Sequence, residues 1–135
     1  MTPPRRIDPD AGAQAVRRWA AHRAQDPEGP ETGPAHRAQI RRTTATAVRY
    51  TLEELAACAP GRAVEVRVPP FGATQAVAGA VHRRGTPPSV VETGPETWLA
   101  LATGALTWEE ALRSGALRAS GERCDLSAHL PLVRP

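Results

Sequence analysis

The sequence contains no lysine, because all 17 of its basic residues are arginines. Chemistry that depends on a lysine amine is therefore excluded, including Schiff-base catalysis, attachment of pyridoxal phosphate and the lysine of a Walker motif. Aromatic residues are also scarce, with three tryptophans, one tyrosine and one phenylalanine, and no base-stacking surface for nucleic acid is evident. The two cysteines, Cys58 and Cys124, are too few for a disulfide scaffold, so we expect reduced, packed thiols.

Long hydrophobic runs are absent too. The longest uncharged run, residues 68–81, contains prolines and glycines, and it is shorter than the roughly 18 to 20 apolar residues that a membrane-spanning helix needs. No apolar segment follows the arginines near the N-terminus, so the sequence predicts no targeting signal. We therefore expect a cytoplasmic protein whose 135 residues form one small domain.

Two helices are predicted in the first half of the chain. Apolar residues at helical spacing indicate an amphipathic helix over residues 8–25, and the proline- and glycine-rich run 26–34 follows it as a linker. A longer helix is predicted over residues 35–59, where a Pro-Gly pair stops it. Thr51 and Glu54 resemble a capping box inside this helix, which leaves a break near Thr51 as an open alternative.

The second half of the chain predicts a sheet followed by short helices. Val64, Val66 and Val68 alternate with charged residues, which is typical of a half-buried strand. Further strands are predicted at residues 73–80, 89–92 and 117–121, short helices at 93–104 and 107–113, each opened by a Thr-x-x-Glu capping box, and a final helical turn at 125–132. The order ααβββααβα indicates the α+β class.

Catalytic and metal-binding patterns are weak. Asp125, Ser127 and His129 stand at i, i+2 and i+4, so that they do not converge on one face of a helix, and no GxSxG motif is present. Each of the four histidines is isolated in sequence from a second histidine or cysteine at ligand spacing. These are His22, His36, His82 and His129. The sequence thus predicts no catalytic residues, no metal and no cofactor.

Positive charge is concentrated in the first third of the chain. Residues 1–49 hold nine arginines and five acids, a balance of +4, and the remainder holds eight and nine, a balance of −1. Six arginines are candidates for a basic surface on the second helix and in a later loop: Arg37, Arg41, Arg42, Arg49, Arg83 and Arg84. Because the net charge is modest and tryptophans do not interleave with the arginines, nucleic acid is not expected. We interpret these residues as a solvated face or a docking surface for an anionic membrane.

The stretch from Trp98 to Leu117 is unusually rich in tryptophan and leucine for two short helices and a strand. One interpretation is a hydrophobic core. The other is an apolar cavity enclosed by the short helices and the sheet, which is a common form of small-ligand site. The residues alone leave both interpretations open.

Residues 96–121 carry a family resemblance. Their Leu-rich turn, the glycines Gly104, Gly115 and Gly121, and Leu117 between them resemble the C-terminal half of sterol carrier protein domains. Segments RRIDP at residues 5–9 and PGRAVEVRVPPFGATQAV from residue 60 resemble the actinobacterial sterol carrier-like proteins more closely, and the absence of lysine fits a GC-rich genome of that kind.

This resemblance implies a curved antiparallel or mixed sheet of three to five strands, covered by helices around a tunnel for fatty acyl chains or sterols. Residues 1–34 would be an added helix and linker, and residues 35–135 the carrier domain. The lining of the tunnel would consist of Val77, Val90, Trp98, Leu101, Leu106, Trp108, Leu112, Leu117, Leu126 and Leu130. The implied activity is non-enzymatic binding or transport of a lipid or other apolar small molecule. The alternative is an interaction module with a filled core that pairs with a second copy or with another protein.

Overall fold

A computed structural model describes residues 4–24, 33–79, 89–121 and 124–135 of the chain. The described residues form α-helices, β-strands and one 3-10 turn. In chain order these are α1 (Pro9–Arg23), α2 (Pro34–Cys58), β1 (Val64–Val68), β2 (Gly72–Ala76), β3 (Ser89–Thr93), α3 (Pro95–Thr103), α4 (Trp108–Ser114), β4 (Leu117–Ser120) and the turn Ser127–His129. The predicted α+β class is confirmed, although the last predicted helix is only this 3-10 turn.

The strands form one mixed sheet in the order β2-β1-β3-β4. β1 pairs antiparallel with β2 and parallel with β3, and β3 pairs antiparallel with β4. The prediction of a mixed sheet with three to five strands is therefore confirmed. The connection from β2 to β3 includes residues 80–88, which lie outside the described residues together with the predicted basic loop at Arg83 and Arg84.

The two faces of the sheet differ in burial. Val64, Val66 and Val68 of β1 are buried on the face that packs against the helices. Glu65 and Arg67, which alternate with them, lie on the opposite face and form an ion pair there. This strict alternation places the core on one side of the sheet, as a period of two residues requires.

Helix α2 runs through Thr51 without a break. The Thr51 hydroxyl donates to the carbonyl of Ala47 at 2.8 Å and accepts a hydrogen bond from Nε1 of Trp98 at 2.8 Å. Both hydrogen bonds of the Thr51 hydroxyl are therefore made within α2 and with α3. The hydroxyl does not accept from a backbone N–H group, as the side chain of a capping residue does. The alternative of a helix break near Thr51 was wrong for this reason.

Helix α1 packs against α2 at a close approach. The helix begins after Asp8, whose side chain accepts a hydrogen bond from the backbone N–H of Ala11 at 3.1 Å. Gly12 faces Tyr50 of α2, and a β-carbon built on Gly12 would lie 2.2 Å from the Cγ atom of Tyr50. Glycine therefore allows the two helices to meet. The buried residues Val16 and Trp19 of α1 belong to the same core cluster as the sheet.

The two predicted capping boxes have different outcomes. At α4 the box is confirmed, since the Thr107 hydroxyl accepts from the Glu110 N–H and the Glu110 carboxylate accepts from the Thr107 N–H. At α3 it is wrong, because the N-cap is Gly94. The Thr93 hydroxyl instead donates to the carbonyl of Ala116 at 2.7 Å, so that a tertiary hydrogen bond replaces the local one.

The two cysteines form no disulfide. Cys124 is half-buried and packs against the core. Cys58, at the C-terminal end of α2, is exposed. The expectation of two packed thiols is therefore wrong for Cys58, whose thiol donates to the carbonyl of Leu55 at 3.5 Å.

Candidate functional site

Half of the predicted lining residues meet in the buried layer between the sheet and the helices. Trp98, Leu101, Trp108, Leu117 and Leu126 are all buried and belong to the core cluster. They come from α3, α4, β4 and the C-terminal segment, which follow one another in the last third of the chain. Burial of such side chains is the main favourable contribution to folding.

The other predicted lining residues lie at the margin of this layer or away from it. Val77, Leu106 and Leu130 are half-buried and pack against the core cluster. Val90 stands in β3 between the buried residues Ser89 and Val91, so it lies on the opposite face of the sheet. Leu112 of α4 is 43% exposed. The structure therefore does not bring Val90 and Leu112 together with the others.

Val77 has an unusual backbone conformation, with a φ angle of 69°. Left-handed backbone is disfavoured for a β-branched residue. Two hydrogen bonds hold it: the Val77 N–H donates to the carbonyl of Ala59 at 2.6 Å, and the Ala63 N–H donates to the carbonyl of Val77 at 3.0 Å. This turn ends the extended backbone of β2 at Ala76, whereas the sequence predicted a strand through Ala80.

An open concavity of about 160 Å³ lies between α1 and α2, close to the start of α3. We call it the α1–α2 cleft, and its lining residues are Arg18, Trp19, His22, Arg23, His36, Gln39, Ile40, Thr43, Thr44 and Glu96. None of them was among the predicted lining residues. Their sequence signal is weak, because the residues come from three separate segments of the chain and share no motif.

Three contacts shape the α1–α2 cleft. Nε1 of Trp19 donates to a carboxylate oxygen of Glu96 at 2.9 Å, which ties α1 to the start of α3. The rings of His22 and His36 meet edge to face, with their centroids 5.4 Å apart. The guanidinium of Arg23 lies 5.5 Å from the centre of the Trp19 ring, within the range of a cation–π contact. Two histidines that are isolated in sequence are thus neighbours in space.

A second concavity of about 300 Å³ lies at the C-terminal end of α2. Glu54, Cys58 and His129 contribute to its lining. Partial desolvation by the surrounding protein, followed by the charge of Glu54, raises the pKa of the Cys58 thiol although the residue reaches solvent, and the raised pKa favours the protonated form over the nucleophilic thiolate. Among the residues that the structure describes, no group of three or more histidine, cysteine or acidic side chains is placed to hold a metal ion.

Asp125, the acid of the weak catalytic pattern, is engaged with the backbone. One of its carboxylate oxygens accepts a hydrogen bond from the Ser127 N–H at 2.8 Å. This bond, together with a second one to the Ser127 side chain, lowers the pKa of Asp125, because both stabilise the charged form. The carboxylate thus stabilises the turn that follows it.

We expect the pKa of Asp125 in the folded protein to lie below its ordinary value of 3.8. Its carboxylate therefore stabilises the fold above the unfolded pKa, and this contribution is lost as the pH falls through the lower folded pKa. Titration of the Asp125 carboxyl carbon by NMR measures the shift. The variant Asp125→Asn should show a weaker dependence of stability on pH in the same acidic range, and a folded pKa above 3.8 would contradict the assignment.

Two arginines of the predicted basic surface, Arg42 and Arg49, form hydrogen bonds with other described residues. Arg37 and Arg41 of α2 are exposed. Nη2 of Arg42 donates to the side-chain oxygen of Gln39 at 2.9 Å. Nε of Arg49 donates to the carbonyl of Phe71 at 3.0 Å, which fixes the turn before β2. Arg49 thus has a structural partner, and the exposed surface is narrower than the sequence indicated.

The fold and the buried apolar layer define a small α+β domain whose mixed sheet is covered by helices on one face. A protein-family model described as bacterial SCP ortholog matches residues 40–132. The chain belongs to this family, and the predicted resemblance to sterol carrier protein domains is confirmed. No curated protein matches the chain. Helix α1 precedes the matched residues. No helix among the described residues is long and apolar enough to span a membrane.

Proposed function

We propose that the chain is a non-enzymatic carrier of an apolar ligand, such as a fatty acyl chain or a sterol, which it binds between the sheet and the helices. The observation that carries the proposal is the continuous apolar layer there, which includes Trp98, Leu101 and Leu117. Membership of the sterol carrier protein-like family supports it. A cytoplasmic location, and a carrier domain at residues 35–135 that α1 covers, belong to the same proposal.

The apolar layer is closed, so a ligand has to displace a helix. The short helix α4 is the element that we propose to move, because only Trp108 and Ala111 of its residues are buried. A tryptophan buries roughly 150 to 250 Å², so that exposing Trp108 costs about 4 to 6 kcal/mol at about 25 cal/mol per Å². Each methylene group that a ligand buries returns about 0.8 kcal/mol. An acyl chain therefore has to bury about five to eight methylene groups before opening becomes favourable.

A second candidate function is an interaction module with a filled core. The observation that favours it is the same closure, because residues such as Trp98 and Leu126 have no exposed surface. Such a module would pair with a second copy of the chain or with another protein and would bind no lipid. The two functions differ in whether the apolar layer opens.

A series of saturated fatty acids from six to sixteen carbons tests the carrier. We expect native mass spectrometry and calorimetry of the delipidated full chain to show one-to-one binding for the long acids and none for the shortest. The cost of exposing Trp108 sets the shortest acyl chain that binds. Trp108→Ala lowers this cost, so it should allow shorter fatty acids to bind. Leu112→Ala is the matched control, because Leu112 lies on the exposed side of the same helix and its loss should not move the threshold.

Failure of a folded protein to bind any acid or sterol would overturn the carrier in favour of the interaction module. Light scattering of the same sample would then report whether a second copy is the partner. Hydrolysis of an acyl ester by the purified chain, lost in His129→Ala while the fold persists, would overturn both candidates.

Binding to anionic vesicles at low salt tests the proposed membrane surface, with Arg37→Gln and Arg41→Gln expected to weaken it.

A further inference from the structure

The size of the α1–α2 cleft selects a small ligand. Its volume of about 160 Å³ is well below the roughly 300 to 1,000 Å³ of pockets for drug-sized ligands. A cavity of roughly 150 Å³ is nevertheless large enough to bind benzene. The cleft therefore has room for one aromatic ring, and a sterol does not fit it. The small volume distinguishes the α1–α2 cleft from the apolar layer between the sheet and the helices.

The floor of the cleft is apolar and includes an aromatic surface. Trp19 and Ile40 contribute side chains to it. The indole N–H of Trp19 already donates to Glu96 at 2.9 Å, and only 4% of the residue is exposed, so the indole offers a ligand the edge of its ring rather than a donor. Aromatic rings pack favourably on one another in offset or edge-to-face arrangements. The floor thus fits the flat apolar body of an aromatic molecule.

A hydroxyl in the lining is available to a ligand in the cleft. Thr44 lines the cleft, and 6% of the residue is exposed. Its hydroxyl forms no hydrogen bond with any residue that the structure describes. Among the described residues no buried side-chain oxygen or nitrogen lacks a partner, so the Thr44 oxygen is not fully enclosed. It can therefore pair with a ligand atom or a water molecule in the cleft.

The charges around the cleft favour an anion. Arg18 and Arg23 line it together with the single carboxylate of Glu96. Within the described part of the chain neither arginine forms an ion pair. Two guanidinium groups against one carboxylate leave a net charge of +1 before the histidines are counted. Arginine presents a planar fork of donors that matches a carboxylate.

We propose that the α1–α2 cleft binds a small aromatic carboxylate. The ring lies on Ile40 against the exposed edge of Trp19, and the carboxylate is held by Arg18 and Arg23. A hydroxyl group on the ring pairs with Thr44. This site goes beyond the proposed carrier function, because it uses α1, a different ligand and a different part of the molecule.

Titration of the isotope-labelled full chain with benzoate, its neutral analogue benzamide and 4-hydroxybenzoate tests the site. We expect saturable NMR shifts of the Trp19 indole N–H and of the Thr44 amide, with benzoate binding more tightly than benzamide. The variant with Arg18→Gln and Arg23→Gln should bind benzoate about tenfold more weakly, since it loses charge-assisted hydrogen bonds. Its affinity for benzamide should not change, and Arg113→Gln on the exposed face of α4 serves as the charge control.

The variant Thr44→Val separates a ligand from a water molecule. It should remove the advantage of 4-hydroxybenzoate over benzoate and leave benzoate binding intact. Absence of saturable shifts at the cleft, or equal affinity of the wild-type chain for benzoate and benzamide, would overturn the proposal and leave water as the partner of Thr44. The fatty-acid series is read out independently, so failure here does not bear on the carrier function.

Discussion

Replacing Trp98 with alanine should lower the free energy of unfolding by about 3 to 5 kcal/mol, the usual cost of removing a large buried aromatic side chain. Trp98 has no exposed surface, and its indole N–H donates to the Thr51 hydroxyl of α2 at 2.8 Å. The change therefore leaves a cavity between α3 and α2 and removes a buried hydrogen bond. Since a domain is stable by only about 5 to 15 kcal/mol in total, the loss is a large share. Urea unfolding followed by circular dichroism measures it.

Two further variants separate the cavity from the hydrogen bond. Trp98→Phe keeps most of the ring but removes the donor, and we expect it to cost about 1 to 2 kcal/mol more than its lost volume alone. Leu112→Ala, at a residue 43% exposed, should change stability by less than about 0.5 kcal/mol. A Trp98→Ala protein as stable as the wild type would show that the layer beneath the sheet is already loosely filled, which contradicts the closed core.

Local patterns predicted most of the secondary structure because their causes are local. The alternation of Val64, Val66 and Val68 is a property of one strand, and the Thr107 capping box lies within one turn of helix. Thr93 has the same capping pattern, yet its hydroxyl bonds to Ala116, 23 residues away. A sequence motif specifies which hydrogen bonds are available, and tertiary contacts decide which of them form.

The α1–α2 cleft could not be predicted in this way, because its residues meet only after folding. Trp19 and Glu96 are 77 residues apart, and neither stands in a motif for binding. His22 and His36 lie on separate helices, and most of the linker predicted at residues 26–34 lies outside the described residues. Sequence reasoning identified the apolar layer beneath the sheet, whose residues are recognisable by hydrophobicity. It missed a cleft whose character depends on how α1 is placed against α2.

The placement of α1 depends on Gly12, and Gly12→Ala should lower the free energy of unfolding by about 1 to 3 kcal/mol through overpacking. The new β-carbon would lie 2.2 Å from Cγ of Tyr50, close to the α2 backbone, so that one of the helices has to shift. Helix propensity acts in the opposite direction, since alanine is favoured over glycine by about 1 kcal/mol within a helix. A net loss of stability therefore reports the steric contact.

Gly33→Ala is the matched control, because a β-carbon on Gly33 meets no atom within 4 Å. We expect it to leave benzoate binding unchanged and, because Gly33 is the N-cap of α2, to cost no more than about 1 kcal/mol of stability, since alanine caps a helix less well than glycine. Gly12→Ala should in addition weaken benzoate binding, because a shift of α1 moves Trp19 and Arg18 away from Ile40 and Thr44 on α2. Fatty-acid binding beneath the sheet should persist, since its proposed lining lies outside α1. If Gly12→Ala instead stabilises the chain by about 1 kcal/mol, as a solvent-facing glycine would, α1 does not pack against Tyr50 and the α1–α2 cleft does not exist.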